Sequence, residues 1–162
     1  MIRKILLFLL AALIIIQFFH PKKNIAKGPQ ANYIGNAFAI PEDVKSIMAK
    51  ACNDCHSNNT RYPWYFHIQP VHWWLNGHIN KGKKGLNFDD YTNRPLRFQY
   101  KRMEDVADLV KDGEMPLKTY RWIHKDAKLT KEEKDMIIAW AGSVQDELRA
   151  RYPIDSLVRP KK

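Results

Sequence analysis

Cys52, Cys55 and His56 fall within five residues of one another in the stretch ACNDCHSNNT, and the chain of 162 residues holds no other cysteine. On a helical turn, residues three apart project from one face, so both thiols point to the same side with an imidazole directly behind them. Any group they hold must lie against that face. The rest of the fold then has to supply the other walls.

The apolar periodicity is helical throughout. Val44, Ile47, Met48 and Ala51 recur at helical spacing after Glu42 and Asp43, acidic residues placed where the helix dipole favours them. This helix runs into Cys52. Pro63 interrupts the aromatic segment SNNTRYPWYFHIQP. Val71, Trp74, Leu75 and His78 then share one face of a helix ended by KGKKG, and a further helix from about Leu96 to Lys111 buries Met103, Val106, Ala107 and Val110. The last helix opens on Thr130 and Glu133, spaced as a capping box, and buries Met136, Ile137, Trp140, Ala141, Val144 and Leu148 before ending near Tyr152. No segment alternates at period two. The expected fold is all-α, with few helices and long loops, an arrangement that buries little core unless another group fills the centre.

The first residues are of another kind. Arg3 and Lys4 precede the run Ile5 to Phe19, broken only by Gln17, and Pro21, Lys22 and Lys23 follow. The run is shorter than the ~17–25 residues of a spanning helix, yet its bulky exit offers no small-x-small cleavage site. A retained single-pass anchor is the expectation, with a soluble exported protein after cleavage as the alternative. The expected organisation is an anchor over 1–23, a linker over 24–41 rich in Pro, Gly, Asn and Lys, a domain over 42–152 and a basic tail over 153–162. Net charge is +10, of which the first 23 residues supply four positive charges and no negative ones. The remaining +6 suits an anionic membrane surface or an acidic protein partner. No nucleic-acid module is recognisable, so no nucleic-acid partner is expected.

Cys-x-x-Cys-His is the pattern of covalent haem attachment, in which two thioethers hold the porphyrin and the histidine binds the iron. A redox dithiol would call for a βαβ setting that the sequence lacks. Zinc would need four ligands, and His67, His72, His78 and His124 are scattered. A structural disulfide would close too short a loop to stabilise much. A second axial ligand for the iron emerges by elimination. Met1 is the initiator, and Met48, Met103 and Met136 lie on apolar stripes, which leaves Met115, held between Gly113 and Pro116 in DGEMPLKTY. His78 is the rival for that position, with hydrogen bonding to a haem propionate or a backbone carbonyl as its other role. Trp64, Tyr65, Trp73, Trp74 and Trp122 are expected to pack, with Trp64, Tyr65 and Trp74 candidates for contact with the porphyrin. His67, His72 and His124 are expected to be surface or structural residues.

The blocks CNDCHSNNTRYPWY, IQPVHWWLNGHINKGKKGLNF and GEMPLKTYRWIHKDAKLTKEE, in that order, resemble the exported bacterial haem-binding domain family, relatives of the c-type cytochromes. The resemblance spans roughly Val44 to Trp140 and departs at Tyr91, where relatives tend to carry Trp. It implies one covalent haem c on Cys52 and Cys55, His56 as axial ligand, and a G-x-M-P loop at Gly113, Met115 and Pro116. It also implies haem attachment outside the bacterial inner membrane, hence a periplasmic domain. Electron transfer with a redox partner is the expected role. A haem sensor or peroxidase with a labile distal ligand, and a docking protein with haem as its core, are the alternatives.

Overall fold

The computed structural model describes residues 1–159; the last three residues of the expected basic tail lie outside this range. The described residues are mostly helical and form no strand, only the isolated bridges Ile25 to Asn59 and Asn32 to Asp90. The fold is therefore all-α. The helices are α1 (Ile2–Ile16), α2 (Glu42–Ala51), α3 (Asn53–His56), α4 (Val71–Gly85), α5 (Leu96–Lys111), α6 (Lys118–Ile123), α7 (Lys131–Arg151) and α8 (Ile154–Leu157).

The longest, α7, starts where the sequence marks it. The Thr130 hydroxyl accepts from the Glu133 amide at 3.2 Å while the Glu133 carboxylate accepts from the Thr130 amide at 3.0 Å, closing the capping box. Ile137, Trp140, Ala141, Val144 and Leu148 are buried on one face of α7, packed against α5 and α2. Met136 lies off that face and is 40% exposed, against expectation. In α5, Met103 and Val110 are buried with Gln99 and Tyr100, whereas Val106 and Ala107 are only partly covered. In α4 the fully buried residues are His72 and Ile79. The face carrying Val71, Trp74, Leu75 and His78 is less buried, with Trp74 46% exposed.

Residues 24–41 do not form a free linker. Ile34, Phe38 and Ile40 are buried in the same core as α2, α5 and α7, and the Ile34 amide donates to the Phe88 carbonyl at 2.8 Å. A 3₁₀ turn over Ile34–Asn36 is extended by the Phe38 amide donating to the Ile34 carbonyl at 3.0 Å, which places Ile34 and Phe38 at i and i+4, so a segment without helical period still buries these two side chains together. Trp140 Nε1 donates to the Ala39 carbonyl at 3.2 Å, and Lys83 Nζ donates to Asn24 Oδ1 at 2.5 Å. Tyr91 is fully buried beneath Phe38 and donates its hydroxyl to the Gln99 carbonyl at 2.8 Å, so its phenol is satisfied. The expected basic tail is likewise partly structural, since α8 buries Leu157 in this core.

Helix α1 has no buried residue, and no helix among the described residues is long and apolar enough to cross a membrane. Its 15 residues rise about 22 Å. Its exit is bonded to the domain: Gln17 and Gln69 exchange side-chain and backbone bonds at 2.9 and 3.2 Å. Gln69 Nε2 and Trp73 Nε1 each donate to the Phe19 carbonyl at 2.9 Å.

Beside this junction His72 is 2% exposed among Tyr62, Phe66 and His20, and neither ring nitrogen has a partner. Burial, with the neighbouring His20, His67 and Lys23, holds its imidazole below the ordinary value. A lowered folded-state value means that His72 supports folding above about pH 6.5 and loses that support as the pH falls through the lowered value. His56 and His124 are shifted the same way. Thermal unfolding of the haem-free chain should therefore show stability falling on acidification, with a shallower slope in His72→Phe. Ile34→Ala should cost about 2–5 kcal/mol in denaturant unfolding, the penalty of a truncated core residue and not of a linker.

Candidate functional site

The Cys52–His56 turn follows α2 after a bend at Cys52, whose amide still bonds to the Met48 carbonyl at 2.9 Å. Helix α4 packs directly on it at Gly82, where a Cβ would lie 2.6 Å from the Cys55 carbonyl oxygen and 3.0 Å from the Cys55 Cβ. Only glycine permits that approach. Beyond α4 the chain closes over His56: its Nδ1 lies 2.9 Å from the Leu86 carbonyl oxygen, and the Phe88 amide donates to the His56 carbonyl at 2.8 Å. A carbonyl only accepts, so Nδ1 carries the proton and Nε2 keeps its lone pair, the form in which imidazole binds a metal. Burial, opposed by backbone hydrogen bonding, holds the His56 imidazole below its usual value and so keeps it neutral.

Cys52, Cys55 and His56 line a cavity of about 440 Å³, and Met115 lines it too. The two cysteines are not bridged. Burial, reinforced by mutual repulsion, pushes the Cys52 thiol up to about 12; burial and Asp54 push Cys55 up to about 11. Both therefore remain thiols at neutral pH, unlike the activated thiolate of a redox dithiol.

Met115 reaches the wall because α5 is stopped by Gly113 at φ +72°, in the left-handed region that glycine tolerates. The amides of Glu114 and Met115 then turn back onto the Leu109 carbonyl at 2.9 and 3.0 Å. Two methionines face the cavity, Met48 being the second. Met48 belongs to the same run of chain as the thiols and is 2% exposed in the core, whereas Met115 enters from a separate segment. Met103 is core, and Met136 is at the surface.

His78 also lines the cavity, its Nδ1 3.0 Å from the Trp74 carbonyl oxygen. Tyr65 and Trp74 instead line a second, smaller cavity that shares Asp54, Cys55, His78, Leu117 and Tyr120 with the first. Trp64 lines neither and is 75% exposed. His124 bonds to the Tyr65 hydroxyl at 2.6 Å and stacks on Tyr120. Three residues that the sequence reading passed over stand at the site. Asp54, inside the Cys-x-x-Cys pair, is buried and accepts from Arg61 and from the Tyr120 hydroxyl. All three lie within the blocks that carry the family resemblance, but nothing in their spacing tells that they meet.

A haem presents a flat apolar ring, two vinyl groups and two carboxylates, and the cavity answers each. Its wall is mainly apolar, with Val106, Leu109, Ile137 and Trp140 among the lining. The two thiols face it, and the missing Cβ of Gly82 leaves the thiol turn close under α4. Arg102 and Lys81 line it as cations, and Arg102 Nε is buried without an acceptor although Nη1 pairs with Asp105 at 2.6 Å. A carboxylate is the acceptor that such a donor lacks. The residues present fit the group.

Gly82→Ala should displace the Cys55 turn and lower stability by about 1–3 kcal/mol, as overpacking does; a drop in haem incorporation measured alongside thermal unfolding checks it. No curated protein and no solved structure matches the chain. The haem-binding domain family matches residues 11–143, which includes the thiol turn, α4, α5, the Met115 loop and most of α7. With this match over most of its length, and a cavity whose walls suit the cofactor, the chain belongs to the haem-binding domain family.

Proposed function

We propose that the haem is a haem c, joined through thioethers to Cys52 and Cys55, with His56 and Met115 as axial ligands, and that the protein carries single electrons. The observation that carries this reading is the convergence of all four side chains on one cavity. When bound, haem supplies an iron that cycles between Fe(III) and Fe(II). Addition of each Sγ–H across a vinyl group would form the thioethers and fix the ring against the α3 turn. His56 is oriented for ligation by the Leu86 carbonyl, which ties down Nδ1. The Met115 sulfur, a soft donor, would favour the reduced metal and raise the potential relative to a second imidazole. Arg102 and Lys81 would receive the propionates, and the apolar walls would exclude water from the iron.

The N-terminal segment supports attachment to the bacterial inner membrane, with the domain in the periplasm. Helix α1 is apolar with no buried residue, and although it falls short of an ordinary span, a short apolar segment can be accommodated by local thinning of the bilayer. The net charge of +6 that remains beyond the first 23 residues suits an acidic redox partner.

Acid and organic extraction should leave the haem on the polypeptide, and replacing either cysteine should reduce retention. The oxidised protein should show a weak sulfur-to-iron band at the red edge of its spectrum. Met115→Ala should abolish it and lower the reduction potential by on the order of 0.1 V, within the roughly 0.8 V range that axial ligands govern. His78→Ala should leave the band in place. Loss of axial ligation in His78→Ala but not in Met115→Ala would establish two histidine ligands instead. Ready carbon monoxide binding by the unaltered protein, with peroxide turnover at enzyme-like rates, would favour the sensor or peroxidase reading.

A further inference from the structure

We propose that Tyr120 and Asp54 form a clasp that holds the Met115 segment against the thiol turn, making Tyr120 a positioning residue for the distal ligand. The inference rests on Met115 being that ligand. Helix α6 follows the Met115 loop directly and has no buried residue. Apolar packing of its own therefore secures it poorly. Its firmest tie to α3 is one side chain: the Tyr120 hydroxyl donates to Asp54 Oδ2 at 2.7 Å, with the Lys50 carbonyl 3.4 Å away.

Asp54 is built to receive that bond. Its side chain is 9% exposed, and Arg61 fixes it by a backbone amide at 2.9 Å to Oδ1 and by guanidinium bonds of 3.2 and 3.3 Å to Oδ2. The Thr60 hydroxyl donates to the Asp54 carbonyl at 2.7 Å, holding the backbone of the same turn. Asp54 lies between Cys52 and Cys55, and Tyr120 lies five residues after Met115. The bond thus joins the segment that holds the ring to the segment that reaches the iron from elsewhere on the wall. A charge-assisted bond in a sheltered site is among the stronger single links available to a side chain. The far end of the segment has a second tie, from Tyr65 to His124. That tie leaves the thiol turn untouched.

The test is an imidazole titration of the haem-loaded, oxidised full-length protein, following loss of the red sulfur-to-iron band as imidazole displaces Met115. In Tyr120→Phe, which keeps the ring and removes only the hydroxyl, the midpoint should fall roughly tenfold, with covalent haem content unchanged. Asp54→Asn should shift it in the same direction. Trp122→Phe, on the exposed side of α6, and Ile34→Ala, which weakens the core away from the clasp, should each stay within about twofold of the unaltered protein. That contrast separates positioning from general destabilisation. Midpoints unchanged in Tyr120→Phe overturn the clasp while leaving Met115 ligation intact; an equal shift in Ile34→Ala overturns it as well. If the unaltered protein shows no red band, Met115 is not the ligand and both readings fall. Should Asp54→Asn fail to take up haem, Tyr120→Phe decides the matter alone.

Discussion

Everything at this site depends on how closely α4 approaches the thiol turn. The Cys55 carbonyl occupies the space where residue 82 would otherwise carry a Cβ, so turn and helix meet as backbone against backbone. From that contact the chain continues through Leu86 to Phe88, and those residues orient the His56 ring and bond its carbonyl. Phe88 in turn packs near Trp140 of α7, which links the turn to the main helical pair α5 and α7. A close approach at one glycine thereby fixes the position of the thiols, the imidazole and one cavity wall together. The short α3 contributes little stability of its own and is defined by what is packed around it.

The parts of the fold legible in the sequence are those with a strong period or a local signal. Helices α2, α4, α5 and α7 fall where the apolar spacing puts them, and the Thr130 and Glu133 capping box marks its start in both descriptions. The two cysteines stand out in the sequence because the chain has no others, His56 because it follows Cys55 directly, and Met115 because it lies between Gly113 and Pro116 and off any helical period; all four line the one cavity. Residues 24–41 are not, because Ile34, Phe38 and Ile40 lie on an irregular segment whose burial depends on partners far along the chain. The same holds for Asp54, Arg61 and Tyr120, where sequence separation hides contact. Periodicity also misassigns a half-lined face: Trp74 and His78 share a helix face as expected, but that face borders the cavities instead of the close-packed core.

The cavity also shows how a small all-α chain satisfies two opposing demands. An apolar wall favours a large ring, while the few polar groups in it need partners of their own. Asp54 has its partners within the protein, in Arg61 and Tyr120. Arg102 is only partly provided for, since Asp105 engages one end of its guanidinium and Nε has no acceptor. The polar groups of the wall thus divide into a sealed set beside the thiols and an open set suited to the carboxylates of the ring.

The burial of Ile34, Phe38 and Ile40 has a consequence for how the domain can be separated from its N-terminal helix. Asn24 is already engaged by Lys83, Ser57 and Thr60, and the helix exit by Gln69 and Trp73, so the fold begins upstream of any helix of the domain proper. A cut at residue 42 would remove three core side chains, and replacing 24–41 by a flexible spacer would do the same. The reach of the haem cavity from the apolar segment is consequently set by the architecture, like a bracket fastened at both ends, and cannot be lengthened or shortened without rebuilding the core.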